Sequence, residues 1–309
     1  MRIVELALAL SALFGTVSCS NDVVEAYSQD LLAVAQWDNT SKTHIFTMTP
    51  DGKNQKQLTS GTTEYWMPAW SPDGKKIAYV SRLSTGMNIH LMDADGTNVQ
   101  QLTSTGINMA PSWSPDGTKI AFAHMKPLAL ALDIWLMNVD GTDKKALTSS
   151  STVDDNVPYW SPDGNEIVFT SNRNGGQYQL WTINLTDSTF TQLTTAYFDP
   201  MIGQWIEQKV PAWSPDGKYI AYWQGVEASN SNSNQPWNVW VMLADGTNKK
   251  KLAPGDDPSW SPDSKTITHV WITDCPTSVS IGNVSPDGDN QRLAFMTNCG
   301  FGRMSWCSK

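Results

Sequence analysis

Five acidic residues that stand shortly ahead of a recurring tryptophan are the first candidates for chemistry in this chain. They are Glu64, Asp154, Asp155, Asp256 and Asp257. Carboxylates gathered at one edge of a fold can hold a cation or attract a basic partner. They can equally be ordinary solvated acids of surface loops, and the sequence alone leaves both interpretations open.

A second candidate group combines aromatic side chains with neighbouring acids outside the recurring pattern. Its members are Tyr65, Trp66, Phe198, Asp199, Trp205, Glu207 and Trp237. Aromatic rings beside acids can form a carbohydrate platform or the centre of a protein-binding surface. The alternative is that these rings are packing residues under long loops.

Catalytic signatures are sparse. The histidines, His44, His90, His124 and His269, are far apart in sequence and lack the spacing of a metal site. No Gly-x-Ser-x-Gly segment is present. Adjacent acids such as Asp154 and Asp155 are a weak sign of a glycosidase, because the required carboxyl separation is set by the fold. We therefore predict a chain that is not an enzyme, with no catalytic residue, no bound metal and no cofactor.

A repeated sequence, Pro-x-Trp-Ser-Pro-Asp-Gly, indicates the elements that position these residues. Its tryptophans are Trp70, Trp113, Trp160, Trp213 and Trp260, and in the last copy Ser264 replaces the glycine. They are 43 to 53 residues apart, and a further step of 46 residues reaches Trp306. Self-similarity at such a period indicates a repeat architecture.

Each repeat predicts a four-stranded antiparallel unit. Ser-Pro-Asp-Gly forms a turn after a short inner strand, since proline presets one φ angle and glycine adopts the left-handed conformation. An Asp-Gly hairpin joins the third and fourth strands. Units of this kind, buried on both faces, are typical of β-propeller blades. We predict an all-β, six-bladed propeller whose ring is closed by the C-terminal strand at Trp306, with the repeated tryptophans packing between blades.

The repeat resembles that of the TolB-type propellers. The resemblance rests on Pro-Ala-Trp-Ser-Pro-Asp-Gly-Lys-Lys-Ile-Ala-Tyr at 68–79, Leu-Met-Asp-Ala-Asp-Gly-Thr at 91–97 and Gln-Leu-Thr at 101–103, and it extends over residues 31–307. It implies a periplasmic binding scaffold. TolB proteins also carry an N-terminal α/β domain, which we expect to be absent because about ten residues separate the leader from the first strand.

In a propeller, the loops that enter each inner strand share one face, here the top, while the regular Asp-Gly turns share the bottom. Acids outnumber bases in the loops assigned to the top. Two top segments, 195–210 and 224–237, are unusually long, and we expect them to be irregular. Irregular loops on a rigid scaffold commonly carry binding function.

The N-terminal segment indicates export. Residues 1–18 contain an apolar stretch from Leu6 to Val17 that is too short to span a membrane. Cys19 stands where a bacterial lipoprotein is acylated, although Thr16 occupies a position where an aliphatic residue is usual. Lipidation therefore remains open. We divide the chain into a signal segment (1–19), a linker (20–30) and a propeller (31–309), exported to the periplasm or beyond.

The remaining cysteines, Cys275, Cys299 and Cys307, are not spaced as a metal site. Propeller geometry places the loops of Cys275 and Cys299 on one face, which predicts a disulfide between them in an oxidising compartment. An unlipidated Cys19 could alternatively reach Cys307.

A net charge of −9 argues against nucleic acid as a ligand, since phosphate binding requires clustered cations. The leading hypothesis is a non-enzymatic scaffold that binds a protein or an envelope polymer through its acidic top face. The alternative is a carbohydrate-active enzyme, a glycan lyase or hydrolase, with its acids at the mouth of the channel.

Overall fold

The computed structural model describes residues 31–37, 42–84, 86–127, 130–201, 203–226, 237–272, 279–297 and 301–306. In these ranges every regular element is a β-strand, so the chain is all-β there. Cys19, Cys275, Cys299 and Cys307 lie outside the described residues. No helix within the described ranges is long and apolar enough to cross a lipid bilayer.

The strands group into units that we number along the chain. Unit 1 comprises β1 (Leu32–Trp37), β2 (Thr43–Met48), β3 (Lys56–Gln57) and β25 (Phe301–Trp306). Unit 2 comprises β4 (Glu64–Trp70), β5 (Lys76–Leu83), β6 (Gly86–Asp93) and β7 (Gln100–Gln101). Unit 3 comprises β8 (Ile107–Trp113), β9 (Lys119–Met125), β10 (Asp133–Asn138) and β11 (Lys145–Ala146).

Unit 4 comprises β12 (Asp155–Trp160), β13 (Glu166–Ser171), β14 (Gln179–Asn184) and β15 (Phe190–Gln192). Unit 5 comprises β16 (Tyr197–Asp199), β17 (Gln204–Trp213), β18 (Tyr219–Val226), β19 (Asn238–Leu243) and β20 (Lys250–Pro254). Unit 6 comprises β21 (Asp256–Trp260), β22 (Ile267–Ile272), β23 (Val279–Val284) and β24 (Arg292–Thr297).

Each unit is an antiparallel sheet, and units 2 and 3 are joined by one parallel pair, Met87 with Ile107. The C-terminal strand β25 pairs antiparallel with β1, with Leu32 opposite Trp306. The innermost described strands contact one another in a circuit that runs through β25, β4, β8, β12, β17 and β21 and returns to β25. The prediction of an all-β propeller of antiparallel units is confirmed, and the C-terminal strand β25 lies beside β1 as expected.

The apolar core lies between neighbouring units, not within them. Each hydrophobic cluster combines buried residues of two successive units, such as Val80 and Ile89 of unit 2 with Ile120 and Phe122 of unit 3. One cluster joins Val270 of unit 6 to Val34 of unit 1 and its neighbours. Because a sheet buried on both faces needs a neighbour on each side, closure of the ring completes the core.

The repeated tryptophans lie at the inner edge of these interfaces. Trp70, Trp113, Trp160, Trp213 and Trp260 are all buried. The Nε1 of Trp113 donates to the carbonyl of Ala69 in the preceding unit at 3.0 Å, and that of Trp260 donates to Ala212 at 3.0 Å. For Trp306 the structure describes the backbone alone.

The repeated Ser-Pro-Asp-Gly turn has one hydrogen-bond pattern. In unit 2, Ser71 Oγ donates to Asp73 Oδ1 at 2.7 Å and accepts the amide of Lys76 at 2.9 Å. The copies at Ser114, Ser161, Ser214 and Ser261 repeat this pattern. Gly74 has a φ of 66°, and Ser264 adopts a φ of 59° at the matching place.

A β-bulge interrupts every inner strand that carries the repeated phrase. The residue before the proline has a left-handed φ, between 46° and 53°, in each case. These residues are Met67, Ala110, Val157, Val210 and Asp257. At each of them the pairing with the second strand shifts by one residue. Such φ angles are unusual for β-branched residues, so the bulge is a built-in feature of the repeat.

The segment 195–210 is ordered, where we expected an irregular loop. Tyr197–Asp199 pairs with Gln204–Ile206 as a hairpin, because both runs alternate in the strand pattern and Gly203 supplies a left-handed φ of 67° at the turn. Glu64, Asp155, Asp256 and Asp257 similarly lie within inner strands, since these strands begin earlier than the short apolar runs suggested.

Candidate functional site

The most exposed apolar feature of the described structure is the hairpin of β16 and the first half of β17. We call it the aromatic hairpin and define it by Tyr197, Phe198, Asp199, Met201 and Trp205. Exposure is 50% for Tyr197, 49% for Phe198, 93% for Met201 and 44% for Trp205. Side chains of this size are normally buried, so their joint exposure on one hairpin requires an explanation.

The hairpin is held in a defined conformation. Phe198 and Trp205 face each other across the two strands as an edge-to-face pair, with ring centroids 5.8 Å apart. The amide of Met201 donates to Asp199 Oδ1 at 2.9 Å, and that of Gly203 donates to the Asp199 carbonyl at 2.9 Å. In the sheet order, β16 lies on the opposite side of β17 from β18, which is the channel side of unit 5. The aromatic hairpin therefore stands at the mouth of the channel.

Behind the hairpin, Tyr178 links two of the predicted acids. Its hydroxyl donates to Asp154 Oδ2 at 3.1 Å, and its amide donates to Glu207 Oε1 at 3.1 Å. Lys209 forms an ion pair with Glu207 Oε2 at 3.0 Å and lies 4.2 Å from the centre of the Tyr178 ring. The other Asp154 oxygen accepts the amide of Leu132 at 2.8 Å. Both acids thus hold units 3, 4 and 5 together.

Asp155 is buried and paired with a single cation. Both of its carboxylate oxygens accept from Arg173 Nη2 at 3.0 Å. The Arg173 guanidinium also covers the ring of Phe190 at 4.0 Å. Asp133 is close by, and burial, with a smaller contribution from Asp155, raises the pKa of its carboxyl.

At the start of unit 2, Glu64 lies 3.5 Å from Arg82, whose guanidinium is 5.3 Å from the centre of the Trp66 ring. Trp66 packs against the cluster between units 2 and 3. Tyr65 packs against the cluster between units 1 and 2 and contacts Tyr79 with ring centroids 5.7 Å apart. These two rings are half-buried between units and present no free platform.

Unit 6 differs in its electrostatics. Asp256 is half-buried, and burial, together with the charge of neighbouring Asp257, raises the pKa of its carboxyl well above the ordinary range. His269 occupies the place taken by Tyr79, Phe122, Phe169 and Tyr222 in the other units, nine residues after the repeated tryptophan. Gly255 and Gly282 leave room for the ring of His269, and burial lowers its pKa to about 4. Among the described residues neither ring nitrogen of His269 has a hydrogen-bond partner.

Trp237 lies beside the end of β18, where Val226 pairs with Ile206 of β17. Its Nε1 donates to the Val226 carbonyl at 3.2 Å, and its ring lies 6.1 Å from that of Trp223. The rest of the long segment before it, residues 227–236, lies outside the described residues.

Apart from Trp237, the predicted site residues therefore divide into four sets. Phe198, Asp199 and Trp205 come together on the aromatic hairpin, and Asp154, Asp155 and Glu207 come together beneath it. Glu64, Tyr65 and Trp66 lie on the inner strand of unit 2, and Asp256 and Asp257 lie on the inner strand of unit 6. In the described ranges no group of three or more His, Cys, Asp or Glu side chains is placed to hold a metal ion.

Sequence reasoning missed Tyr178, and it placed Asp133 and Arg173 on the top face without predicting a role for either. Arg173 is 18 residues from Asp155, and Tyr178 is 29 residues from Glu207. No short motif marks such pairs. The one available signal was position, since all three flank the loops of the top face.

Comparison with known proteins identifies relatives of this architecture. Residues 26–306 match the family model described as the TolB beta propeller domain. A segment of 99 residues is 33% identical to dipeptidyl-peptidase 5 of Porphyromonas endodontalis, covering 32% of this chain and 14% of that protein. A segment of 61 residues is 43% identical to the Tol-Pal system protein TolB of Hahella chejuensis, covering 19% of this chain and 14% of that protein.

The chain thus matches about a seventh of the length of each of these two relatives. Among solved structures, the crystal structure of TolB from Acinetobacter baumannii superposes with a TM-score of 0.75 at 25% identity. That superposition covers 98% of this chain and 70% of the other.

Proposed function

Because this chain belongs to the TolB β-propeller family, we propose that it is an exported, non-enzymatic scaffold that binds a partner protein of the cell envelope through its aromatic hairpin. The single observation that carries the proposal is the joint exposure of Tyr197, Phe198, Met201 and Trp205 on one ordered hairpin. The name of the Hahella relative, a Tol-Pal system protein, supports a role in an envelope assembly.

The composition of the aromatic hairpin favours a protein as its ligand. Tryptophan and tyrosine dominate the energy of protein interfaces, because each buries a large rigid surface at low entropic cost. Phe198 and Trp205 are already fixed against each other, so little ordering remains to oppose association. Met201 at the turn adds an adaptable apolar contact.

Charge selects the kind of partner. The chain carries a net charge of −9, and Asp199 lies in the hairpin itself. Glu64, Asp155 and Glu207 are paired with cations of this chain, so Asp154, Asp199 and the overall negative charge supply the attraction. We propose a partner with a small apolar patch surrounded by basic residues, whose encounter is accelerated by electrostatic attraction.

The proposal of a binding protein rather than an enzyme rests on how the acids are used. Asp154 and Asp155 were the pair that suggested a glycosidase. Asp154 accepts hydrogen bonds from Leu132 and Tyr178, and Asp155 is held by Arg173. Carboxylates bound in this way serve to position strands, which argues for the scaffold over the glycan lyase or hydrolase alternative.

Export is part of the same proposal and rests on residues 1–18. Whether Cys19 carries lipid is tested by the mass of the mature protein isolated from membranes. A diacylglyceryl-sized increment on an N-terminal Cys19 supports an anchored form, and its absence supports a released form. The Cys275–Cys299 disulfide is tested in the same spectrum by the mass gained on reduction and alkylation.

The binding proposal is tested by capture from an envelope extract followed by titration of the captured protein. Trp205→Ala and Phe198→Ala should each weaken binding by about tenfold or more, as expected for hot-spot residues. Val99→Ala is the matched control, since Val99 is 57% exposed on the bottom face. Equal retention of the partner by all three variants would overturn the proposal.

A further inference from the structure

A cavity of about 370 Å³ lies between units 4 and 5, beneath the segment that crosses from β15 to the aromatic hairpin. Its lining includes Thr194 from unit 4 and Tyr197, Gln208, Gln224 and Trp240 from unit 5. Ligand pockets commonly begin at roughly 300 Å³, so this space admits a molecule of monosaccharide size.

Gln208 on the inner strand β17 is the most informative residue of this cavity. Its side chain is 2% exposed, and its Oε1 has no hydrogen-bond partner among the residues that the structure describes. Its Nε2 donates only to the Ile206 carbonyl, at a long 3.4 Å. Buried amide oxygens are nearly always paired, so an unpaired one on a residue that lines a cavity points to a missing donor.

In units 3 and 4 the equivalent position holds a polar side chain that has a partner. Asn108 stands five residues before its tryptophan, as Gln208 does, and its Oδ1 lies 2.8 Å from Nδ1 of His124. Asp155 occupies the same place in unit 4 and is held by Arg173. In unit 5 the strand partner opposite Gln208 is Gln224, and the cavity takes the place of a bulky donor.

The other lining residues supply an aromatic ring and further polar groups. Trp240 lines the cavity, and its indole stacks with the Tyr222 ring, with ring centroids 6.5 Å apart and planes 28° from parallel. Gln224 and the Tyr197 hydroxyl bring hydrogen-bonding groups. Lys249, which also lines the cavity, donates to the Gly246 carbonyl. An aromatic ring and two amides in one cavity suit a pyranose, which has apolar C–H bonds on one side and hydroxyl groups at its edge.

We propose that this cavity binds a single pyranose unit, with a sugar hydroxyl donating to Gln208 Oε1 and the ring lying against Trp240. The site is separate from the proposed protein contact at Phe198 and Trp205, although Tyr197 borders both. Different substitutions therefore test the two proposals: those at Phe198 and Trp205 test the protein contact, and those at Gln208 and Trp240 test the sugar site.

Saturation-transfer-difference NMR on the full mature chain tests the site, with N-acetylglucosamine and glucuronate as separate probes. We expect a saturation-transfer signal from at least one probe. The methyl glycoside of that sugar should compete for the site and reduce the signal. Gln208→Leu and Trp240→Leu should each reduce affinity by about tenfold, the usual effect of losing one strong polar or stacking contact. Trp135→Leu, at the matching place in unit 3 where His124 fills the space, should bind like the wild type.

A second measurement separates loss of the site from loss of folding. Gln208→Leu removes an unpaired buried acceptor, so the free variant should melt at or above the wild-type temperature while losing the sugar signal. No signal from either probe overturns the proposal. Unchanged binding by Gln208→Leu and Trp240→Leu, both folded, also overturns it.

Discussion

The bottom turns and the top mouth of this propeller use the same side chain, aspartate, in opposite ways. In the repeated turns, a serine hydroxyl and a backbone amide donate to each aspartate, and these bonds lower its pKa, as at Asp73 and Asp116. At the mouth, burial raises the pKa of Asp133 and Asp256. The first set stabilises the turns, whereas burial makes ionisation of the second set unfavourable.

Tryptophan gives the largest expected contrast between the two regions. Trp113→Ala removes a buried indole and its bond to Ala69, and we expect a loss of about 3–5 kcal/mol in the free energy of unfolding. Trp205→Ala on the aromatic hairpin should change it by less than about 0.5 kcal/mol. Urea denaturation measures both, and similar losses would break the comparison.

His269 should make unit 6 the acid-sensitive part of the ring. Its pKa is about 4 in the folded chain and 6.5 in the unfolded chain, so the unfolded state binds the extra proton between these values. The stability it supports is complete above pH 6.5 and falls as the pH drops toward 4, by about 3 kcal/mol.

His269→Leu should remove that pH dependence. The melting temperature of the variant and of the wild type should be measured from pH 7 to pH 4. All other titrating groups are the same in the two proteins. His90→Leu is the control, because that ring is only half-buried and should account for less. Parallel pH profiles for wild type and His269→Leu would contradict the assignment.

The bulges between the two regions offer a third, smaller test. Val157 has a φ of 49°, which is unfavourable for a β-branched residue. Val157→Asn should stabilise the chain by up to about 1 kcal/mol, because asparagine tolerates the left-handed conformation. Val168→Asn, at a fully buried position of the same unit, should instead destabilise it strongly, as judged by the same melting curves.

The smallest test replaces aspartate with asparagine at each face. Asp116→Asn weakens a charge-assisted turn and should cost less than about 1 kcal/mol at pH 7, since the site is exposed. Its contribution is present at neutral pH and disappears as the pH falls through the lowered pKa. Asp256→Asn should raise stability at pH 7, because a raised pKa means that ionisation opposes folding. Equal signs for the two variants would refute the contrast.

The architecture was predictable because it depends on local chemistry repeated along the chain. Trp70 and its copies marked the inner strands, and each Asp-Gly pair marked a turn whose φ angles few other residues accept. The closing strand could be placed because Trp306 continues the period. These features can be recognised in the sequence without knowing which units become neighbours.

The site was predictable only in part, because its contacts join residues from different units. Phe198 and Trp205 were identified as candidates, but their pairing depends on the hairpin register around Gly203. The partners of Asp155 and Glu207 are Arg173 and Lys209, and nothing in the sequence distinguishes those two cations from others on the same face. Burial of charge is set by the three-dimensional packing.

The bulge before each repeated proline has a consequence for how this protein can change over time. By inserting one residue, it resets the alternation of inward and outward side chains within a single inner strand. The stretch before it, such as Ile206 to Lys209, and the tryptophan after it therefore face their neighbours in separate phases. A change of register in the first segment can be absorbed at the bulge without moving the tryptophan in the second.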